Sequence, residues 1–153
     1  MILLYSSEKE VQYIQFQPRY YIGIGAYQLP SIECIIKDAD KVVLFGSSGW
    51  LGPRFKAPIN KLIAKKYFAY IPEPIHEKYI ADSYREIGYY IVDCESWQVW
   101  DICKKYNKPF KSIRYIIDLG DRKLMPIGIN HFWQKYQHHK MQNLFNKYIS
   151  EFI

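Results

Sequence analysis

Between Gly88 and Asp118 the chain is written as strand, helix, strand, and this order restricts the fold more than any other feature. Tyr89 to Val92 is a short β-prone run. Val99, Ile102, Cys103 and Tyr106 then recur at i, i+3, i+4 and i+7, one face of a helix that Asn107-Lys108-Pro109 stops. Ser112 to Ile117 is a second strand. The spacing predicts a βαβ unit, with parallel strands and a helix laid over one face of their sheet.

The rest of the chain continues the alternation. Met1-Ile2-Leu3-Leu4-Tyr5 reads as a first strand, Ser6-Ser7-Glu8-Lys9-Glu10 as a polar turn, and Tyr20 to Ile24 as a short second strand ending in Gly23-Ile24-Gly25. A helix follows, with Pro30 in its first turn, Ile32, Ile35 and Ile36 at helical spacing, and Asp38-Ala39-Asp40 at its end. Lys41-Val42-Val43-Leu44-Phe45 is a buried strand expected to run into a loop, Gly46-Ser47-Ser48-Gly49. Tyr67 to Ile71 is a further strand candidate, and Pro72 and Pro74 mark a loop. A last helix is expected from about Phe132 to Phe152, with Met141, Leu144, Phe145, Tyr148, Ile149 and Phe152 on the face that packs on the sheet. At 153 residues and 49% hydrophobic, the chain suits one core and one domain over 1–153. The expected class is α/β, three layers, with a mostly parallel or mixed sheet and helices on both faces.

Composition narrows the setting. No run approaches the ~18 apolar residues of a membrane span. The first residues lack a basic leader and a small-residue cleavage site, so a cytoplasmic protein is expected. Cys34, Cys94 and Cys103 have no metal-type spacing, and the adjacent His138 and His139 would point in different directions on a helix, so no metal site is expected. The net charge of +6 is spread along the chain (Lys61, Lys65, Lys104, Lys105, Lys108, Lys111), which reads as a solvated surface and ranks nucleic-acid binding last. Gly23-Ile24-Gly25 lacks the third glycine of a dinucleotide fingerprint.

In open α/β sheets ligands sit beyond the carboxyl ends of the strands, so polar residues just after each strand are the candidates for chemistry. They are Glu8 and Glu10, Gly46-Ser47-Ser48-Gly49, Asp93-Cys94-Glu95, and Asp118. Each also has a plainer reading. Glu95 opens a helix, where the dipole alone favours a negative side chain; Asp118 precedes a turn-like Leu119-Gly120-Asp121; Glu10 serves equally as a surface acid.

Val92-Asp93-Cys94-Glu95-Ser96, then Cys103 to Phe110, then Ile113-Arg114-Tyr115-Ile116-Ile117-Asp118, resembles the carboxyl-terminal signature of the purine-nucleoside phosphorylase family. The nearest likeness is to the methylthioadenosine/S-adenosylhomocysteine nucleosidases. Ile22-Gly23-Ile24-Gly25 and Val43 to Leu51 resemble the family's two glycine loops in order, and Ser7-Glu8-Lys9-Glu10-Val11 resembles its amino-terminal acidic turn. The chain is shorter than typical members, with material missing between Val11 and Tyr20 and between Trp50 and Asp93, so a truncated version of the fold is expected.

The resemblance implies cleavage of the N-glycosidic bond of a purine nucleoside. Such cleavage places positive charge on the sugar and negative charge on the departing base, so a carboxyl group is needed to protonate the base. Asp118 matches that acid, Glu95 the carboxylate that accepts hydrogen bonds from ribose hydroxyls, and Cys94 lies beside the sugar. Glu10 matches the base that activates water. Ser47, Ser48 and Gly49 match the loop that holds phosphate or ribose. The nucleophile is water in a nucleosidase and phosphate, as co-substrate, in a phosphorylase. Phosphorylases tend to carry an arginine where this chain has Leu44, which favours hydrolysis; Pro30-Ser31 leans towards phosphorolysis. Trp50 and Trp97 stand where small residues usually line the site. No cofactor beyond that phosphate is implied, and a homodimer or higher assembly is. The alternative is a shortened paralogue without turnover, acting as a nucleoside-binding or scaffold protein.

Overall fold

The computed structural model describes residues 1–12, 14–51, 62–65, 69–70, 78–88, 90–118 and 138–152. Strands β1 (Ile2–Tyr5), β2 (Arg19–Tyr21), β3 (Val42–Trp50), β4 (Leu62–Lys65), β5 (Ala69–Tyr70), β6 (Ile91–Asp93) and β7 (Phe110–Asp118) form one mixed sheet. The helices are α1 (Glu8–Val11), α2 (Glu33–Asp38), α3 (Lys78–Glu86), α4 (Ser96–Lys105) and α5 (His138–Phe152), with short 3-10 turns at Ile24–Ala26 and Leu29–Ile32.

Four strands, in the order β2-β1-β3-β7, are parallel throughout. Continuous apolar runs are what such central strands require, since both of their faces are covered. Ile2, Leu4, Val42 and Leu44 enter one core with Ile22, Leu29, Ile36, Val99 and Cys103, beneath α2 and α4. Leu3, Tyr5, Val43 and Phe45 enter a second core with Val11, Ile14, Ile113, Phe145 and Ile149, beneath α1 and α5. The three-layer α/β arrangement is the one expected. On α5, Phe145 meets Phe45 edge-on at 5.4 Å, and Lys41 and Lys111 place their ammonium groups 5.7 and 5.1 Å from the Phe152 ring. Lys41 Nζ also donates to the Phe152 carbonyl at 3.0 Å, satisfying an acceptor at the carboxyl end of the helix.

Three local expectations are corrected. Gly46-Ser47-Ser48-Gly49 is not a loop but the second half of β3. These residues are poor strand formers, yet β7 pairs with β3 from Val42 to Gly49 and β6 pairs with Gly49 and Trp50, so the ladder overrides local preference. Ser6 to Glu10 is not wholly a turn: from Glu8 it forms one turn of helix, preceded by extended Ser7. Third, β6-α4-β7 is not a parallel crossover. β6 runs antiparallel to β3 (Gly49 beside Val92, Trp50 beside Ile91) while β7 runs parallel to it, and β3 lies between them. Helix α4 itself matches expectation, burying Val99 and Cys103, and closes at Asn107, whose φ of 53° is one that asparagine tolerates.

A candidate carboxylate and guanidinium site at the end of β3

The reversed direction of β6 builds the site. A parallel β6 would carry Asp93 beyond the sheet edge; the antiparallel strand instead carries it back along β3, to the level of Ser48. There the next residues, Cys94 and Glu95, lead into α4, with Glu95 as its N-cap, and the register Gly46 beside Arg114 sets a β7 guanidinium against them.

Arg114 has no exposed surface. Its Nε donates to Ser112 Oγ at 3.0 Å and lies 3.5 Å from Asp93 Oδ2. Its Nη1 lies 3.4 Å from Glu95 Oε2 and donates to the Ser47 carbonyl at 3.5 Å. Nη2 has no hydrogen-bond partner among the described residues. Burial works against the Arg114 charge, but Asp93, Glu95 and Glu10 outweigh it and hold the proton on more tightly than usual.

Glu95 is 5% exposed, and Oε1 accepts a hydrogen bond from the Gly25 N–H at 3.1 Å. Burial raises its pKa above the ordinary glutamate value; Arg114 and the Gly25 amide oppose the rise, and Glu10 and Asp93 add to it. Cys94 is buried, and burial followed by the charges of Glu95 and Asp93 pushes its thiol up to about 12, so it is a neutral wall rather than a nucleophile.

Glu10 comes from the other side of β3. Oε1 accepts from both the Ser47 N–H (2.8 Å) and the Ser47 hydroxyl (2.7 Å), and Oε2 accepts from Ser6 Oγ at 2.7 Å. Gly46 lets the two halves approach. A Cβ there would sit 2.5 Å from Arg114 Nη1 and 3.2 Å from each Glu10 carboxylate oxygen, so the carboxylate and the guanidinium flank one point.

The structure therefore brings together Glu10, Ser47, Glu95 and Cys94. Ser48 is buried, and its hydroxyl has no partner among the described residues. Gly49 pairs with Val92 on one edge and with Asp118 on the other, which sets the backbone end of β7 beside the site. The Asp118 side chain, on which its expected acid role depends, lies outside the described residues. Trp50 packs against Tyr90 with ring centroids 5.6 Å apart, and Trp97, 42% exposed, packs against Trp100 at 5.0 Å.

Sequence reasoning missed Arg114 and Ser6 as site residues, and placed Asp93 among the candidate loop residues without giving it a role. The available signal was Ser112 and Arg114, two polar residues between Phe110 and Ile116 on one face of a strand. Among the described residues no group of three His, Cys, Asp or Glu is arranged to hold a metal ion, and no helix is long and apolar enough to cross a membrane.

This chain has a nucleoside phosphorylase-like α/β fold, the fold that the sequence resemblance implied, and it is shared with solved nucleosidases and a hydrolase. Helicobacter pylori methylthioadenosine nucleosidase, solved as an Asp-to-Asn variant with 5'-methylthioadenosine in the active site, superposes with a TM-score of 0.74 at 14% identity, covering 98% of this chain and 97% of that one. Futalosine hydrolase of the same organism gives 0.75 at 14% identity, with the same coverage. The 5'-methylthioadenosine/S-adenosylhomocysteine nucleosidase of Neisseria meningitidis, in complex with methylthio-immucillin-A, gives 0.67 at 15%, covering 85% and 89%. No protein-family model and no curated protein sequence matches the chain.

Proposed function

We propose that this protein hydrolyses the N-glycosidic bond of a purine nucleoside or a related compound. The observation that carries the proposal is the convergence of Glu10 and Arg114 on one point above Gly46, with Glu95 beside the same guanidinium nitrogen, Nη1. Glu10 has the role of general base. Held by three hydrogen bonds from Ser6 and Ser47, its carboxylate is oriented to draw a proton from an attacking water. Glu95 takes ribose hydroxyls, since a carboxylate has more acceptor sites than Gly25 and Arg114 use. Cys94 packs beside the sugar, and Ser48 and Gly49 form the floor. The carboxylates of Glu10 and Glu95 favour the positive charge that develops on the sugar as the bond breaks. Asp118 protonates the departing base.

Water is preferred to phosphate as nucleophile for an electrostatic reason. Asp93, Glu95 and Glu10 surround a single guanidinium, an unfavourable setting for an anion, and Leu44 lies fully buried where a phosphorylase tends to carry arginine. The chain acts as one nucleosidase-like unit of purine metabolism in the cytoplasm and draws on side chains and water alone. Exposed Ile24 and Tyr27 offer apolar surface for a homodimer, which sedimentation would detect.

One observation favours a nucleoside-binding or scaffold protein without turnover: both oxygens of Glu95 are already engaged and the residue is nearly inaccessible. A panel of purine nucleosides, assayed for free base with and without phosphate, separates the readings. Base release independent of phosphate and lost in Glu10→Gln supports hydrolysis. Phosphate-dependent release supports phosphorolysis. Thermal stabilisation by a nucleoside with no base released supports the binding protein and ends the enzyme reading.

A further inference from the structure

We propose that Asp93 is a positioning residue whose carboxylate ties the first turn of α4 to the Arg114 guanidinium, and so fixes where Glu95 and Arg114 meet a ligand. The inference rests on the hydrolase reading for its kinetic consequences, but not for its structural ones.

The two oxygens of Asp93 face different elements. Oδ1 accepts from the N–H of Glu95 at 2.8 Å and of Ser96 at 2.7 Å, two amides that the start of a helix leaves without internal partners. Oδ2 accepts from the Ser96 hydroxyl and stands 3.5 Å from Arg114 Nε. One carboxylate therefore holds the backbone that presents Glu95 and the side chain that pairs with it. Asp93 is 5% exposed and Ser96 and Arg114 are completely buried, so water does not compete for these bonds.

A guanidinium is planar, and fixing its Nε edge decides where the other two nitrogens point. Asp93 and Ser112 hold that edge; Nη1 is then directed to Glu95 and the Ser47 carbonyl, and Nη2 is left without a partner in the protein. Asp93 reaches the ligand only through these neighbours.

The negative charge of Asp93 is also felt at Glu95. The groups that bear on Glu95 are Arg114 from β7, Glu10 from α1, the Gly25 amide from the 3-10 turn, and Asp93 just before it in its own segment. Asp93→Asn keeps a carbonyl oxygen for the two amides but replaces Oδ2 by an NH2 group that cannot accept from Ser96 or Arg114, so the charge and the contact with the guanidinium are removed together. Arg114 then turns more fully to Glu95, and one anion that opposes Glu95 ionisation is gone. Glu95 should accordingly give up its proton at a lower pH.

The test is a titration of carboxyl-13C-labelled glutamates by NMR, with Glu95→Gln to assign the signal, alongside kcat and KM across pH. In Asp93→Asn the Glu95 signal is expected to titrate at lower pH, the acid limb of the rate profile to move with it, and kcat to fall by about 10²-fold, the scale of a small misplacement in an active site. A residue that only caps α4 would lower stability and leave kcat per folded molecule at the wild-type value, and that result overturns the proposal. If Asp93→Asn does not fold, Asp93→Glu restores the charge one methylene further out; a lower kcat per folded molecule supports positioning, and wild-type kcat overturns it. Should the wild-type protein release no base while Asp93→Asn still shifts the Glu95 titration, the hydrolase reading fails and the positioning role stands.

Discussion

Glu95 Oε2 and Arg114 Nη1 lie 3.4 Å apart, joining a helix that follows an antiparallel strand to a parallel strand two positions across the sheet. With Arg114 wholly buried, this pair is where stability and chemistry are most tightly linked.

Arg114→Met should destabilise the fold by about 3–5 kcal/mol, because it leaves Asp93 and Glu95 buried without their cation. Replacing the acids as well, as Asp93→Asn, Glu95→Gln and Arg114→Met together, should recover part of that loss, since the desolvation of charge disappears along with the attraction. Urea denaturation of the single and triple variants measures both.

The raised pKa of Glu95 makes a pH-dependent contribution to stability with a definite sign. The folded state holds the Glu95 proton more tightly than the unfolded chain, so stability from this group is full below the ordinary value of 4.5 and is lost as pH rises through the raised one. The denaturation midpoint of the wild type, relative to that of Glu95→Gln, should fall as pH increases through that window. A constant difference between the two proteins contradicts it.

Gly46→Ala puts a methyl group between Arg114 and Glu10, and both must move. The expected cost is about 1–3 kcal/mol of stability, as for overpacking elsewhere. Base release should fall far more than thermal stability, because the displaced groups are the base and its cation. Equal loss of both would mean that the contact is structural only.

At Gly23 the barrier is of two kinds. Its φ of 77° disfavours any side chain, and an added Cβ would overlap the Tyr27 ring. Gly23→Ala should therefore cost about 1–3 kcal/mol. Adding Tyr27→Ala should restore only the steric part, leaving the backbone strain; calorimetric melting of both variants separates the two.

The central strands were legible because Ile2 to Tyr5 and Val42 to Phe45 are apolar on both faces, a pattern that only a covered sheet satisfies. Helix α4 was legible from the spacing of Val99 and Cys103. Within the site, the family resemblance pointed to Glu10 and Glu95, which follow strands, and to Ser47, which lies inside β3. What escaped depends on pairing rather than composition. Gly46 to Gly49 reads as a loop until both edges of β3 are occupied, and nothing in Ile91-Val92-Asp93 tells which way that strand runs. Arg114 escaped because its meaning lies in Asp93 and Glu95, around 20 residues earlier in the chain and two strands away.

Because β6 runs against β3, the few residues from Trp50's partner Ile91 to Glu95 act as a ruler between sheet and helix. A strand advances about 3.3 Å per residue and turns each successive side chain over. One residue inserted or deleted within that span would carry the carboxylates past their cation or point them to the wrong layer. Any descendant of this sequence that keeps the site must keep that count, whatever it changes in the surrounding side chains.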